Sequence, residues 1–244
     1  MADFVIAHMY PDLMDLYGDH GNLLCLKKRL EWYGHQCVIK NISRVDQLDY
    51  QGIDMLFMGA GSDREQGLVY KDLASSAKDL QEVIENGMPA LFICGAYQLL
   101  GNSYVNDDGE LMDGLGLFDF HTRVAEKRFS GDIIISSTIT GEAISVVGFE
   151  NHRGRTYLED KNLQPFGRVI KGIGNNGEDD SEGINYKNLL GTYLHGPLLP
   201  KNPAIADFFI RVMAERQGIN LKVQLDDSIE NFAHEQVKNK ILGK

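Results

Sequence analysis

Two residues of this chain have the types and settings that thiol chemistry requires. Cys94 stands where the apolar run Pro89-Ala90-Leu91-Phe92-Ile93 gives way to Gly95-Ala96 and then to a helical apolar pattern ending near Gly101. That order reads as a buried parallel strand turning sharply into a helix. A nucleophile on such a turn is lifted at the carboxyl end of a sheet, above a helix amino terminus. The helix dipole and its unpaired N–H groups favour an anion there, thiolate or oxyanion. Read alone, Cys94 serves equally well as an inert thiol closing a core strand. The second residue is His195, which ends the strand-like segment Asn188–Leu194 just before Gly196-Pro197. A lone histidine at a strand end is more often structural, but an imidazole beside a thiol at one sheet edge gives a nucleophile with its general base and acid. A small-residue loop, Gly59-Ala60-Gly61-Ser62-Asp63, follows an earlier strand and adds backbone N–H groups able to converge on an anion. The loop lacks the Gly-Lys-Ser/Thr of a phosphate loop, and a lone Gly-x-Gly is otherwise an ordinary turn.

The elements that position these residues follow an alternating order. Phe4–Ala7 reads as a fully buried first strand, followed by a helix over 23–33 with Asn22 as its N-cap and Leu23, Leu26, Leu30 and Tyr33 as its apolar stripe. Strands over 36–42 and 53–58 come next, then a helix over 71–86 stopped by Gly87, then the Cys94 strand and helix. Segments near 117–124, 131–138, 143–150, 166–172 and 184–186 are short and strand-like, separated by Gly, Asn and Asp clusters. They read as an antiparallel or mixed extension of the sheet, with 174–180 an exposed polar turn. Polar and charged groups are dense in 148–156, which suits a solvated hairpin or a functional surface. Helices near 203–217 and 228–242 close the chain, the last with Ile229, Phe232, Val237 and Ile241 apolar. The expected fold is α/β: a doubly wound, mostly parallel sheet with flanking helices and an antiparallel extension, ligands at its carboxyl edge. Residues 1–215 form the domain, and 216–244 a helical extension packed on it or on a partner.

Composition narrows the function classes. The 244 residues are 43% hydrophobic and 24% charged, an ordinary globular balance, with a net charge of −11 that argues against a nucleic-acid surface. The acidity suits a small-molecule enzyme, a basic partner protein or simple solubility. Three cysteines, at 25, 37 and 94, have no metal-ligand spacing and point to a reducing compartment. Cys25 and Cys37 read as core residues. No apolar run is long enough to span a bilayer and no secretory leader opens the sequence, so a cytoplasmic location is expected.

Four stretches together resemble class I glutamine amidotransferases, nearest to the cobyric-acid-synthase-like branch. They are Gly59–Gln66, Ile93–Leu100, Gly148–His152 and Gly191–Gly196, joined by the opening Tyr10–Met14 and Leu16–Asn22. The match is to the glutaminase subunits of that branch that work as heterodimers with a Mur-ligase-like synthetase of the MurT type. The resemblance implies that Cys94 attacks the side-chain amide of L-glutamine to give a γ-glutamyl thioester, and that His195 protonates the ammonia and then activates water. It implies an oxyanion hole from backbone N–H groups at Ala60 or Gly61 and at Gly95, with Gln98 contacting the glutamine. Arg128 matches a family position expected to bind glutamine, as a guanidinium fork suits its carboxylate; a surface arginine is the plainer reading. No cofactor or metal is implied in this chain. ATP and magnesium belong to the synthetase, whose acceptor would be the D-glutamate of the lipid II stem peptide. No nucleic acid or membrane insertion is implied.

The sequence departs from the family pattern at three places. The usual Gly-x-Cys-x-Gly elbow has Phe92 and Ala96 as its flanks, leaving the turn less room. The usual His-x-Glu has Pro197 in place of the glutamate, so the site is a Cys/His dyad or its imidazole is oriented from elsewhere, with Asp19 and Glu150 as candidates. The segment near 228–242 is extra. Competing readings are a glutaminase serving a cobyric-acid-type amidation, a Cys/His hydrolase or peptidase of related fold, and a non-catalytic binding partner. Gln98 and Arg128 have no clear job in a peptidase, and intact Cys94 and His195 speak against a binding partner.

Overall fold

A computed structural model describes residues 3–106 and 108–244. Its elements in chain order begin β1 (Asp3–Met9), α1 (Gly21–Trp32), β2 (Gln36–Ile42), β3 (Met55–Met58), α2 (Asp63–Leu73), α3 (Ala77–Glu85), β4 (Ala90–Ile93) and α4 (Gly95–Leu99). A strand-rich middle follows: β5 (Ser103–Val105), β6 (Leu111–Asp113), β7 (Phe120–Ser137), β8 (Ile144–Leu158), β9 (Gly167–Lys171), β10 (Ser181–Glu182), β11 (Ile184–Tyr186), β12 (Leu189–Thr192) and β13 (Leu194–His195). The helices α5 (Leu198–Lys201), α6 (Pro203–Arg216) and α7 (Ser228–Leu242) complete the chain.

The first sheet has the order β11-β12-β4-β3-β1-β2, parallel except for the antiparallel edge strand β11. Its central strands are apolar on both faces: every residue of β3, β4 and β12 is buried. That is what a sheet covered by helices on both sides requires. On one side lie α2 and α3, with Val69, Leu73, Leu80 and Ile84 inward. On the other lie α1 and α6, with Leu23, Leu26, Leu30, Phe209 and Ile210 inward. The expected α/β sheet is present, and β11 is its antiparallel extension. The other middle strands do not extend it. They build a second, mixed sheet centred on the long β7–β8 ladder, with β9 and β10 on one flank and β5 and β6 on the other.

Three local readings change. The helix expected over 71–86 is two helices separated by a 3₁₀ turn at Ala74–Ser76, and the first begins at Asp63. Ser62 and Glu65 form a capping box there, so part of the small-residue loop is already a helix entry. Asn22 lies inside the first turn of α1 rather than capping it; its side chain donates to Asp19 O at 2.9 Å and accepts from Leu199 N at 2.8 Å. The 174–180 turn is not wholly exposed. Asn175 is fully buried, accepts from Gly183 N at 2.8 Å and from Tyr97 Oη at 3.2 Å, and donates to Gly183 O.

The last helix packs on the second sheet, where Ile241 joins Ile134 and Val147. His234 binds Lys201 O and Ser145 Oγ, at 2.9 and 2.8 Å. Half of its expected apolar stripe is not used: Ile229 and Phe232 are exposed.

Candidate active site

The carboxyl ends of β1, β3 and β4 meet at one edge of the first sheet, where ligands bind in open α/β folds. Cys94 sits between β4 and α4 with φ 54° and ψ −104°. A non-glycine residue in that region is strained, and it marks a sharp strand-to-helix elbow that presents the thiol. The elbow is held by Cys94 N donating to Thr192 O at 2.8 Å and by Gln98 N donating to Cys94 O at 2.9 Å. The next residue has to be small: a Cβ at Gly95 would stand 2.5 Å from Gln66 Nε2.

His195 arrives by a route not legible as a plain strand end. The chain leaves the first sheet after Thr192 and enters the second at Leu194, so that His195 pairs with Phe149 of β8. Buried Glu182 fixes this crossing, its Oε1 accepting from Thr192 Oγ1 at 2.5 Å and from Tyr193 N at 2.9 Å. Burial pushes the Glu182 carboxyl up to about 7 despite those hydrogen bonds.

The imidazole of His195 is buried and has Asp19 beside it, Oδ1 lying 3.2 Å from Nδ1. Asp19 Oδ2 accepts from Ala60 N at 3.0 Å, and the carboxylate has no exposure to solvent. A carboxylate only accepts, so His195 Nδ1 carries a proton. Burial is the largest effect on His195 and acts to lower its pKa. The hydrogen bonds and charges of Asp19 and Cys94 outweigh it and bring the value to about 10. Both neighbours act to keep a proton on the ring. Tyr17, at φ 65°, lays its half-exposed ring edge-on to His195, with centroids 5.2 Å apart.

A cleft of about 330 Å³ opens over Cys94, lined by Gly61, Gln66, Gln98, Arg128, His152 and Arg153. Its floor is a buried relay. Gln98 Nε2 donates to Tyr193 Oη at 3.1 Å, and that hydroxyl shares a 2.7 Å hydrogen bond with Thr156. His152 stacks flat on Tyr193 at 3.8 Å between centroids. Its Nδ1 lies 2.8 Å from the Gly154 carbonyl, so Nδ1 is the protonated nitrogen, and burial lowers its pKa. Gln66 Oε1 and His152 Nε2 line this cleft and are buried without a hydrogen bond among the described residues. Buried polar atoms are normally satisfied, so two orphans on one cleft mark a place built for a polar ligand.

The structure brings Cys94, His195, Asp19, Gly61, Gly95, Gln98 and Arg128 to this one site. It separates two others from the roles expected of them. The Ala60 N–H is committed to Asp19 Oδ2, so it does not point at the thiol. Glu150 does not meet His195; it accepts from Ile173 N and Gly174 N, both at 2.9 Å, and lies 3.7 Å from His152 Nε2. Tyr17, Gln66, His152 and Arg153 line the site without having been singled out by residue type.

Residues 5–203 match the model of the CobB/CobQ-like glutamine amidotransferase domain. The chain belongs to this glutamine amidotransferase family. It is 43% identical over 244 residues to the "Lipid II isoglutaminyl synthase (glutamine-hydrolyzing) subunit GatD" of Staphylococcus aureus, covering all of this chain and 97% of that one. It is 38% identical over 241 residues to the protein of the same name from Streptococcus pneumoniae, covering 96% of this chain and 92% of that one. The solved structure of PurLQS from Thermotoga maritima shares the fold at a TM-score of 0.60 and 13% identity, over 89% of this chain and all of that one. Among the described residues, no helix of this amidotransferase is long and apolar enough to cross a membrane.

Proposed function

We propose that this amidotransferase is the glutaminase subunit of a lipid II isoglutaminyl synthase, hydrolysing L-glutamine at Cys94 and passing ammonia to a partner synthetase. The observation that carries the reading is the strained Cys94 elbow set beside an imidazole whose Nδ1 faces a buried carboxylate. The Cys94 thiolate attacks the side-chain amide carbon, and the resulting oxyanion lies against the N–H groups of Gly61 and Gly95. The C–N bond breaks as His195 gives its proton to the departing nitrogen, leaving ammonia and a γ-glutamyl thioester. His195, now neutral, takes a proton from water as that water attacks the thioester. Glutamate leaves, and the thiolate–imidazolium pair is restored. Arg128, on the cleft wall, clamps the α-carboxylate as a planar fork.

The names of the two full-length relatives support lipid II as the acceptor over a cobyric-acid-type amidation. With no phosphate-cradling loop, this chain leaves acceptor activation, with ATP and magnesium, to a Mur-ligase-like subunit joined to it as a heterodimer in the cytoplasm. The test is Cys94→Ser in the complex, assayed with glutamine and separately with ammonium chloride. A serine hydroxyl keeps the shape but ionises far less readily. Glutamine-dependent amidation should vanish while ammonium-dependent amidation persists. Loss of both with the complex intact would show that Cys94 does more than release ammonia.

A further inference from the structure

Arg128 occupies an unusual stretch of backbone. Where β7 and β8 lose register, between Val124/Gly154 and Phe129/His152, residues 125–128 stand opposite the single Arg153. Four residues facing one make an arch in the strand, and an arch of this kind loses its ladder hydrogen bonds. Side chains of β8 supply the fixings instead, and Arg128 Nη1 itself donates to Asn151 O and Oδ1, both at 3.4 Å. Arg153 Nε donates to Ala125 O at 3.1 Å. Arg155 Nη2 donates to Lys127 O, the carbonyl immediately before Arg128, at 2.6 Å. Arg155 Nη1 also donates to Arg153 O at 3.2 Å and to Gly154 O at 3.1 Å. One guanidinium thus ties both strands across the break.

Arg155 is 6% exposed, with its guanidinium carbon 3.0 Å from the centroid of the Phe129 ring, and burial lowers its pKa. A buried charge spent on carbonyls is costly unless the geometry it enforces matters. The Gly154 carbonyl it holds is also the one bound to His152, which stacks on Tyr193, the partner of Gln98. His152 Nδ1 holds that carbonyl from the floor side, so the floor bearing Gln98 does not depend on Arg155. Arg155 is not among the residues lining the cleft.

We infer that Arg155 is a positioning residue for glutamine binding: by fixing the 125–128 arch it aims Arg128 into the cleft over Cys94 and sets the KM for glutamine without touching glutamine. This rests on the reading of Arg128 as the carboxylate clamp. The test is steady-state glutaminase kinetics of the complex carrying Arg155→Lys, Arg128→Ala, or both. Lysine keeps the charge but not the fork that spans three carbonyls. Arg155→Lys should raise the glutamine KM by about tenfold with kcat within about threefold, the pattern of lost ground-state binding. Phe129→Leu, which removes the ring under the guanidinium, should give a smaller shift of the same kind. The double variant should be no worse than Arg128→Ala alone, because both act through one contact. Alkylation of Cys94 by iodoacetamide, which needs no clamp, should proceed at the wild-type rate throughout. An unchanged KM for Arg155→Lys, effects that multiply in the double variant, or slowed alkylation would overturn the inference while leaving the Arg128 reading in place. An unchanged KM for Arg128→Ala would instead remove the clamp, and the inference with it.

Discussion

Replacing Asp19 by Asn tests the mechanism at the group that stands in for the missing glutamate. The carboxylate has two fixed duties, Oδ1 toward His195 Nδ1 at 3.2 Å and Oδ2 accepting Ala60 N at 3.0 Å. An amide of the same shape has only one acceptor. If its NH₂ turned to Ala60, two buried donors would face each other, at a cost of roughly 1–3 kcal/mol. The oxygen therefore stays on Ala60 and the NH₂ faces His195. Nδ1 must then give up its proton, and Nε2 becomes the protonated nitrogen facing Cys94. That tautomer cannot take a proton from the thiol or from the hydrolytic water. The substitution also removes the charge that helps hold the imidazolium, whose pKa is about 10. In the serine triad, the equivalent change lowers kcat by roughly 10⁴ with the geometry intact. A thiol ionises more readily than a hydroxyl, so a loss on the order of 10³, about 4 kcal/mol of barrier, is expected here. Glutamate release by the complex at saturating glutamine reads kcat directly, and KM should stay within about threefold. Ammonium-dependent amidation, unchanged, would show that the partner still docks. A kcat within about tenfold of wild type would refute the assignment of Asp19.

Three further outcomes are expected. Gly95→Ala should cut kcat severely while leaving partner binding intact, since its Cβ would stand 2.5 Å from Gln66 Nε2 at the elbow; full activity would show that the elbow has slack. Glu182 has a folded pKa of about 7, above its ordinary 4.5, so its contribution to stability is full below the unfolded value and is lost as pH rises through about 7. Glu182→Gln has no proton to lose, so its Tm relative to wild type should rise across that window, and a parallel pair of Tm-versus-pH curves would contradict this. Ile241→Ala, in the Ile134–Val147 cluster, should cost about 2–3 kcal/mol on thermal unfolding with glutamine kcat unchanged; an unchanged Tm would mean that α7 does not pack on the second sheet.

The sheet and the elbow were legible because they are local. β3 and β4 are short apolar runs buried on both faces, and such runs announce themselves in a sequence. The small residues after Cys94 and Ile93 before it are enough to read a strand-to-helix turn. The second sheet was not legible as a separate body, because its pairings are long-range and its strands alternate no more clearly than an extension would. The arch at 125–128 is invisible without the register of β7 on β8. Helix α2 is not legible in full because Gly59–Asp63 reads as a small-residue loop, whereas the Ser62–Glu65 box signals its start. The commitment of the Ala60 N–H to Asp19 is a matter of tenths of an ångström between residues 41 positions apart.

The substitution that removes the usual carboxylate also helps supply its replacement. Pro197 stands where the family often has the glutamate of His-x-Glu, and its ring packs against the first residue of α1: a Cβ at Gly21 would come 2.6 Å from Pro197 Cγ. That close approach seats the amino end of α1 against the His195 segment. Asn22 secures it, accepting from Leu199 N on one side and donating to Asp19 O on the other. The loop before α1 is tied in turn to the small-residue loop by Leu16 N donating to Ala60 O at 2.9 Å. Asp19 is thereby pinned between α5 and the Gly59–Gly61 loop, with no exposure and one free direction, toward Nδ1 of His195. A glutamate at 197 would reach the ring from two residues along the chain; an aspartate at 19 reaches it from 176 positions away. On this geometry the imidazole's orientation depends on Pro197 as packing and on Gly21 as space. Enlarging Gly21 to Ala should therefore lower kcat for glutamate release without altering either catalytic side chain, and a wild-type kcat would show that this packing does not orient His195.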